Sequence, residues 1–171
     1  MNITYLKINK SYPGIARNIG ISHCNNELLA FLDLRSLPIS NWLKDNCELL
    51  NNTNSDIILG KRITYSDSKI KEYIKLATFG TKSYTALTGT IIKKEIFDNK
   101  IGEFVNTRAG EDIEWINRMM ESRVKYFIPS ENYILYNGLF DSFANTLIKW
   151  GVYSFAYSKI SHDLSNWEFD K

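Results

Sequence analysis

The sequence is poor in cysteine, proline and histidine, with two, three and two of them in 171 residues. The two thiols, Cys24 and Cys47, have neither the number nor the spacing of a disulfide framework or a zinc site. They read as reduced, partly buried thiols, in keeping with a reducing compartment. Charge of one sign is not in excess either: the net charge is +2. A nucleic-acid-binding domain usually carries a basic patch or stripe, so nucleic acid is not an expected partner. No apolar run approaches the roughly 20 residues that span a bilayer. Residues 1–10, MNITYLKINK, contain no apolar stretch of the kind a secretory signal needs.

What is present is globular in balance. Hydrophobic residues make up 44% and charged residues 23%, and the length suffices for one domain with a sizeable core. Strand and helix patterns alternate. Ile3–Ile8 alternates and predicts a strand. Ile15–Cys24 predicts a short helix. Leu28–Leu32 is apolar without alternation, as in a strand covered on both faces. Ser40 is placed to cap a helix from Asn41 to about Leu50 that buries Trp42, Leu43, Cys47 and Leu50. Ile57–Ile63 and Ala86–Ile92 predict strands, and Ser68–Phe79 an amphipathic helix between them. A helical turn follows at Lys93–Phe97. Glu111–Ser122 predicts a helix, Val124–Ile128 a strand, and Gly138 to about Tyr157 a final aromatic-rich helix. The alternation predicts an α/β fold with a mostly parallel sheet. There is no internal repeat, low-complexity tract or linker. The chain divides into one domain over residues 1–137 and a C-terminal helix with a polar tail over 138–171.

Three stretches carry side chains suited to chemistry. The segment ELLAFLDLRSLP delivers Asp33 and Arg35 to the end of a strand, where open α/β sheets bind ligands. The same residues also read as a turn started by an aspartate, with an exposed arginine beside it. TRAGEDIEW places Glu111 and Asp112 at a helix start after Gly110. Acidic residues there complement the helix dipole. A carboxylate held there beneath a flexible loop would also serve as a general base. The preceding loop, DNKIGEFVNTRAG, is long enough to be a working loop. GIARNIG sets Arg17 and Asn18 on a short helix, facing a phosphate, a partner strand or solvent.

The order and spacing of these stretches resemble a known family. PGIARNIGISHCNNELLAFLDLRSLPISNWL and IGEFVNTRAGEDIEWINRMMESRVKYFIPSENYILY look like the catalytic domain of family 2 glycosyltransferases. That family shows an Ala-Arg-Asn-x-Gly helix, a strand ending in Phe-Leu-Asp-x-Asp, and a Pro-x-x-Trp-Leu helix start. A Gly-Glu-Asp that opens a helix follows later. The resemblance runs from about Ile3 to Tyr136. It implies a GT-A fold, a Rossmann-like sandwich. It also implies inverting transfer of a sugar from a nucleotide-diphosphate donor to the hydroxyl of a saccharide or lipid-linked acceptor, in surface polysaccharide synthesis. Asp112 would take the acceptor proton, with Glu111 beside it. Asp33, Arg35, Arg17 and Asn18 would lie near the donor diphosphate.

The chain departs from the pattern twice. The family holds a divalent cation, Mn or Mg, with its Asp-x-Asp. Here Asp33 remains, but Arg35 stands where the second aspartate is expected. Either the guanidinium meets the diphosphate without a metal, or the metal site has decayed. The family's domain also begins with two further strand-helix units, whereas this sequence starts at what resembles the third strand. A strand that is central in the family would then be an edge, open to a second chain or a second copy. A non-catalytic partner subunit or an inactive fragment is therefore the alternative reading. The final helix carries Leu139, Phe143, Leu147 and Trp150 near one face. That suits core packing or, with Lys149 and Lys159, a membrane interface. The expected location is the cytoplasm, with peripheral contact at the inner face of the membrane.

Overall fold

The computed structural model describes residues 3–131 and 134–163, with side chains through Ser158. The elements in chain order are α1 (Pro13–Ser22), β1 (Leu28–Ala30), β2 (Ser36–Pro38), α2 (Trp42–Asn52), β3 (Ile57–Thr64), α3 (Lys69–Thr78) and β4 (Ser83–Lys93). They continue with α4 (Lys94–Ile96), α5 (Glu111–Glu121), β5 (Tyr126–Phe127), β6 (Ile134–Tyr136) and α6 (Phe143–Asp163). One π-helical turn, Phe97–Ile101, continues α4.

The sheet is built around β3. Its strands run in the order β1-β4-β3-β6-β2. β4 pairs with β3 antiparallel along one edge. The other edge is shared end to end, with β5 parallel to Ile57 and Ile58, and β6 parallel to Arg62–Thr64. β1 on β4 and β2 on β6 are both antiparallel. The architecture is the expected α/β sandwich, but the sheet is mixed, which corrects the mostly parallel arrangement. An alternating pattern implies parallel strands only if each helix carries the chain back across the sheet. α3 does not: β4 follows it and runs back down beside β3.

Helices cover both faces. Neighbouring side chains of a strand point to opposite faces, so Ile91 and Ile92 enter different cores. Ile92 packs with Leu29, Phe31, Ile57, Leu59 and Leu87 beneath Trp115 and Met119 of α5. Ile91 packs with Ile134 beneath Trp42 of α2. Trp115 is the centre of the larger core, with no exposed surface. Its rings lie 6.2, 6.0 and 5.2 Å from those of Phe31, Phe97 and Phe104. Its indole N–H donates to the Gly102 carbonyl at 3.0 Å.

Several boundaries differ from expectation. Ile3–Ile8 forms no strand and lies exposed. An alternating pattern becomes a strand only where another strand pairs with it, and among the described residues none does. Among the described residues β1 is an edge strand paired with β4 alone, and one of its faces is covered, not both. Leu29 and Phe31 are buried while Leu28 and Leu32 are exposed. Glu27 and Phe31 make their backbone bonds toward β4, so the alternate residues Leu28 and Ala30 turn their N–H and C=O groups away from it. α2 starts at Trp42 and is capped by Asn41 at φ 67°, not by Ser40, and Leu43 is exposed. Ser68 caps α3 as expected, accepting from the Lys71 N–H. α6 begins at Phe143, five residues after the expected start at Gly138. It turns Thr146 and Ala156 inward and leaves Phe143, Leu147, Ile148 and Phe155 exposed. Among the described residues no helix is long and apolar enough to cross a membrane. Most of the expected polar tail, residues 164–171, lies outside the described residues.

Trp115→Ala is expected to cost about 3–5 kcal/mol of unfolding free energy, the usual loss for truncating a buried aromatic. Urea denaturation checks it, and a loss below about 1 kcal/mol would be out of keeping with a central core residue.

Candidate active site

The site begins with the docking of α1. A Cβ on Gly14 would lie 2.5 Å from the Val105 carbonyl oxygen, so only glycine lets the helix approach the 102–109 loop this closely. Asn18 fixes the same approach. Its Nδ2 donates to the Phe104 carbonyl at 2.9 Å, and its Oδ1 accepts from the Phe104 N–H at 2.9 Å. The Asn18 amide is thereby committed to the loop, and Asn18 is not among the residues lining the cleft described below.

Arg17 reaches the cleft. Its Nη1 donates to Glu111 Oε1 at 2.6 Å and its Nη2 to Asp33 Oδ1 at 3.1 Å. Its guanidinium also lies over the Phe104 ring at 5.5 Å. Burial disfavours the Arg17 charge, but Glu111 and Asp33 outweigh that and hold its pKa above the usual value. Asp33 follows β1, with its N–H donating to Thr88 Oγ1 at 3.2 Å. Glu111 and Asp112 open α5 behind Gly110, whose φ of +86° favours glycine. Arg118, one turn from the other end of α5, donates to the Ile101 and Glu103 carbonyls and pairs with Glu114 at 2.8 Å. That ties the loop ahead of Gly110 to the helix.

Burial pushes the Glu111 carboxyl above its ordinary pKa, and neighbouring Asp112 adds to this. Arg17 works the other way without cancelling it. The buried carboxylate therefore costs more than its ion pair returns. Asp112 is only partly buried, and its Oδ1 accepts from the Ile113 N–H at 3.0 Å.

Asp33, Arg35, Arg17, Glu111 and Asp112 all line one cleft of about 730 Å³. The two acidic stretches, far apart in the chain, thus converge. The rest of the wall holds residues that the motifs did not reveal: Arg62, Lys149, Tyr153 and Tyr157. Lys149, Tyr153 and Tyr157 repeat every four residues on α6, a spacing that places them on one side of a helix. Burial, then the charges of Asp112 and Glu111, push the Tyr157 phenol up to about 12. It stays a neutral O–H donor within electrostatic reach of both carboxylates.

The donor set does not fit a divalent cation. Among the described residues no three metal-ligating side chains gather in one place. The Asp33 and Glu111 carboxylates are both engaged by Arg17, and a guanidinium, Arg35, occupies the position of the second aspartate.

Replacing Arg17 tests this arrangement. In Arg17→Met the Glu111 carboxyl loses its cation, and its pKa is expected to rise further. A carboxyl with a raised folded-state pKa stabilises below its unfolded pKa, and that contribution is lost as pH rises through the folded value. The variant should therefore be weaker than the parent at neutral pH and recover toward it on acidification to about pH 4. Unfolding free energies measured across that range check it; a pH-independent deficit would mean that Glu111 does not depend on Arg17.

The comparisons bear on the fold and the family. The structure of S. aureus TarS 1–349 in complex with UDP-GlcNAc superposes with a TM-score of 0.60 at 16% identity, over 85% of this chain and 44% of that one. The same fragment in complex with UDP gives 0.57 at 17% identity, over 77% and 42%. S. aureus TarS gives 0.56 at 18% identity, over 77% and 25%. The chain spans less than half the length of these structures, and identities this low speak for the fold alone. No curated protein sequence matches the chain. The family profile described as glycosyl transferase family 2 matches residues 1–111. That range takes in Arg17, Asp33, Arg35 and Glu111 and stops one residue before Asp112. Nearly two thirds of the sequence carries the family pattern: the chain belongs to glycosyl transferase family 2.

Proposed function

We propose that this cleft transfers a sugar from a nucleotide-diphosphate donor to an acceptor hydroxyl with inversion at the anomeric carbon. The observation that carries the reading is the meeting of Asp112 and Glu111, from the start of α5, with Asp33 and Arg35 in one cleft. Asp112 removes the acceptor proton as the oxygen attacks C1. The new C1–O bond forms on the face opposite the breaking bond to the diphosphate, which leaves with the electron pair. Arg35 offers a planar fork to the departing diphosphate, a role that needs no metal. Glu111, held by Arg17, positions rather than reacts. The TarS structures carry UDP-GlcNAc and UDP, which supports a uridine nucleotide sugar as the first donor to try. The acceptor is a saccharide or lipid-linked hydroxyl in surface polysaccharide synthesis.

The exposed apolar face of α6 supports peripheral contact with the inner face of a membrane. Phe143, Leu147, Ile148 and Phe155 are each more than half exposed. The free edge of β1 is where a second chain, or a second copy, would add strands.

Release of UDP from UDP-GlcNAc, with a saccharide acceptor, reads the reaction. Asp112→Asn is expected to lose about 10²–10⁴-fold in kcat, the usual share of a general base. Chelation by EDTA is expected to leave the parent rate unchanged. Full turnover in Asp112→Asn would remove the base assignment, and no transfer from any donor, with or without manganese, would favour a non-catalytic partner subunit. Flotation with anionic vesicles reads the second proposal. The double variant Leu147→Glu, Ile148→Glu should stay in the aqueous fraction where the parent floats; equal flotation would exclude α6 as the contact.

A further inference from the structure

Arg35, Arg62 and Lys149 line the cleft, and among the described residues no carboxylate pairs with any of them. The other arginines beside buried acids are neutralised: Arg17 by Glu111 and Asp33, Arg118 by Glu114. The three unpaired cations come from three separate places, the turn before β2, the C-terminal half of β3 and the inward side of α6. No single charged run accounts for them.

They are brought together by rings. The Arg35 guanidinium carbon lies 5.9 Å from the centre of Phe140, and Lys149 Nζ lies 5.3 Å from the same ring. Lys149 Nζ also lies 5.2 Å from the Tyr153 ring. Arg62 lies 4.5 Å over Tyr136. Its Nε is shut off from solvent and has no hydrogen-bond partner. Lys149 has one polar contact, the Gly138 carbonyl at 3.4 Å. Burial, and then the charges of Arg35 and Arg62, hold its pKa below the usual lysine value. Cation–π contacts offset part of this crowding. They do not supply the missing counter-charge or satisfy the Arg62 N–H. Groups held against stability in this way mark sites shaped for a ligand.

We propose that Arg35, Arg62 and Lys149 form an anion subsite that holds a phosphate group of the ligand in the cleft. Two guanidinium forks and one ammonium suit the oxygens of a phosphate, and the walls formed by Phe140, Tyr136 and Tyr153 strengthen the attraction by excluding water. This deepens the sugar-transfer reading and rests on it for the identity of the ligand, but not for its charge. The phosphate has two sources, the diphosphate of the donor or a phosphate carried by the acceptor. Arg62 and Lys149 join Arg35 in the same role.

Binding, not turnover, tests it, so its failure is separable from failure of the transfer reading. Calorimetry of the parent, Arg62→Gln, Arg62→Lys and Lys149→Met is run with inorganic pyrophosphate, UDP and glycerol 3-phosphate. The parent should bind pyrophosphate. Each charge-removing variant should lose about tenfold or more, the usual effect of deleting a hydrogen bond to a charged group, with partial rescue in Arg62→Lys. Matching loss with UDP assigns the subsite to the donor. Loss with glycerol 3-phosphate but not UDP assigns it to the acceptor. Should Arg62→Gln fail to fold, Lys149→Met and the parent carry the test. In the parent, reductive dimethylation keeps the lysine charge, and pyrophosphate should move the Lys149 methyl resonance, assigned by its absence in Lys149→Met. No pyrophosphate binding by the parent, unchanged affinity in both charge-removing variants, or an unmoved Lys149 resonance would overturn the proposal.

Discussion

Arg17 is the keystone of the site. It stands between Asp33, which follows β1, and Glu111, which begins α5, and it bonds to both. Two carboxylates from elements so far apart in sequence repel when they share a cleft, and a buried one resists ionising. A single guanidinium with two donating arms relieves both problems. The rest of α1 serves that placement. Gly14 permits the close approach, and Asn18 fastens the helix to the Phe104 backbone. The short motif Ala-Arg-Asn-x-Gly is then a mechanical unit: one residue organises the acids and the next locks the helix.

The cleft also divides its charge. Acids cluster where α1, β1 and α5 meet. Cations cluster where the turn before β2, β3 and α6 meet. Transfer of a sugar away from a diphosphate needs both kinds of group, one to accept a proton and one to stand beside the negative charge that leaves. α6 matters more than an appendage would, because Lys149, Tyr153 and Tyr157 are part of the wall.

Much of this was legible in the sequence because the signals are local. Ser68 caps α3 by a bond within its own turn. Gly110 and the acids after it open α5 where expected. The convergence of Asp33 with Asp112 followed from the family pattern. What was not legible depends on distant partners. Nothing in Ser83–Lys93 tells β4 to run antiparallel to β3; that is fixed by which strand edge is free when the chain returns. The apolar stripe of α6 suited either core packing or a membrane interface, and Leu147 faces outward because the inward side is given to Thr146 and Ala156, with Lys149 on the cleft wall. Nothing local singled out Arg62, since its neighbours Arg35 and Lys149 are far away in sequence. The partners of Arg17 and Asn18 were not legible either: Arg17 pairs with Glu111 and Asp33, and Asn18 with the Phe104 backbone.

Trp115 sits one helical turn beyond Glu111, wedged among Phe31, Phe97 and Phe104. The start of α5 is thus fastened to the larger core. Loosening that end requires breaking the packing of Trp115 in the core. The acid pair should therefore keep its alignment for as long as that core stays packed.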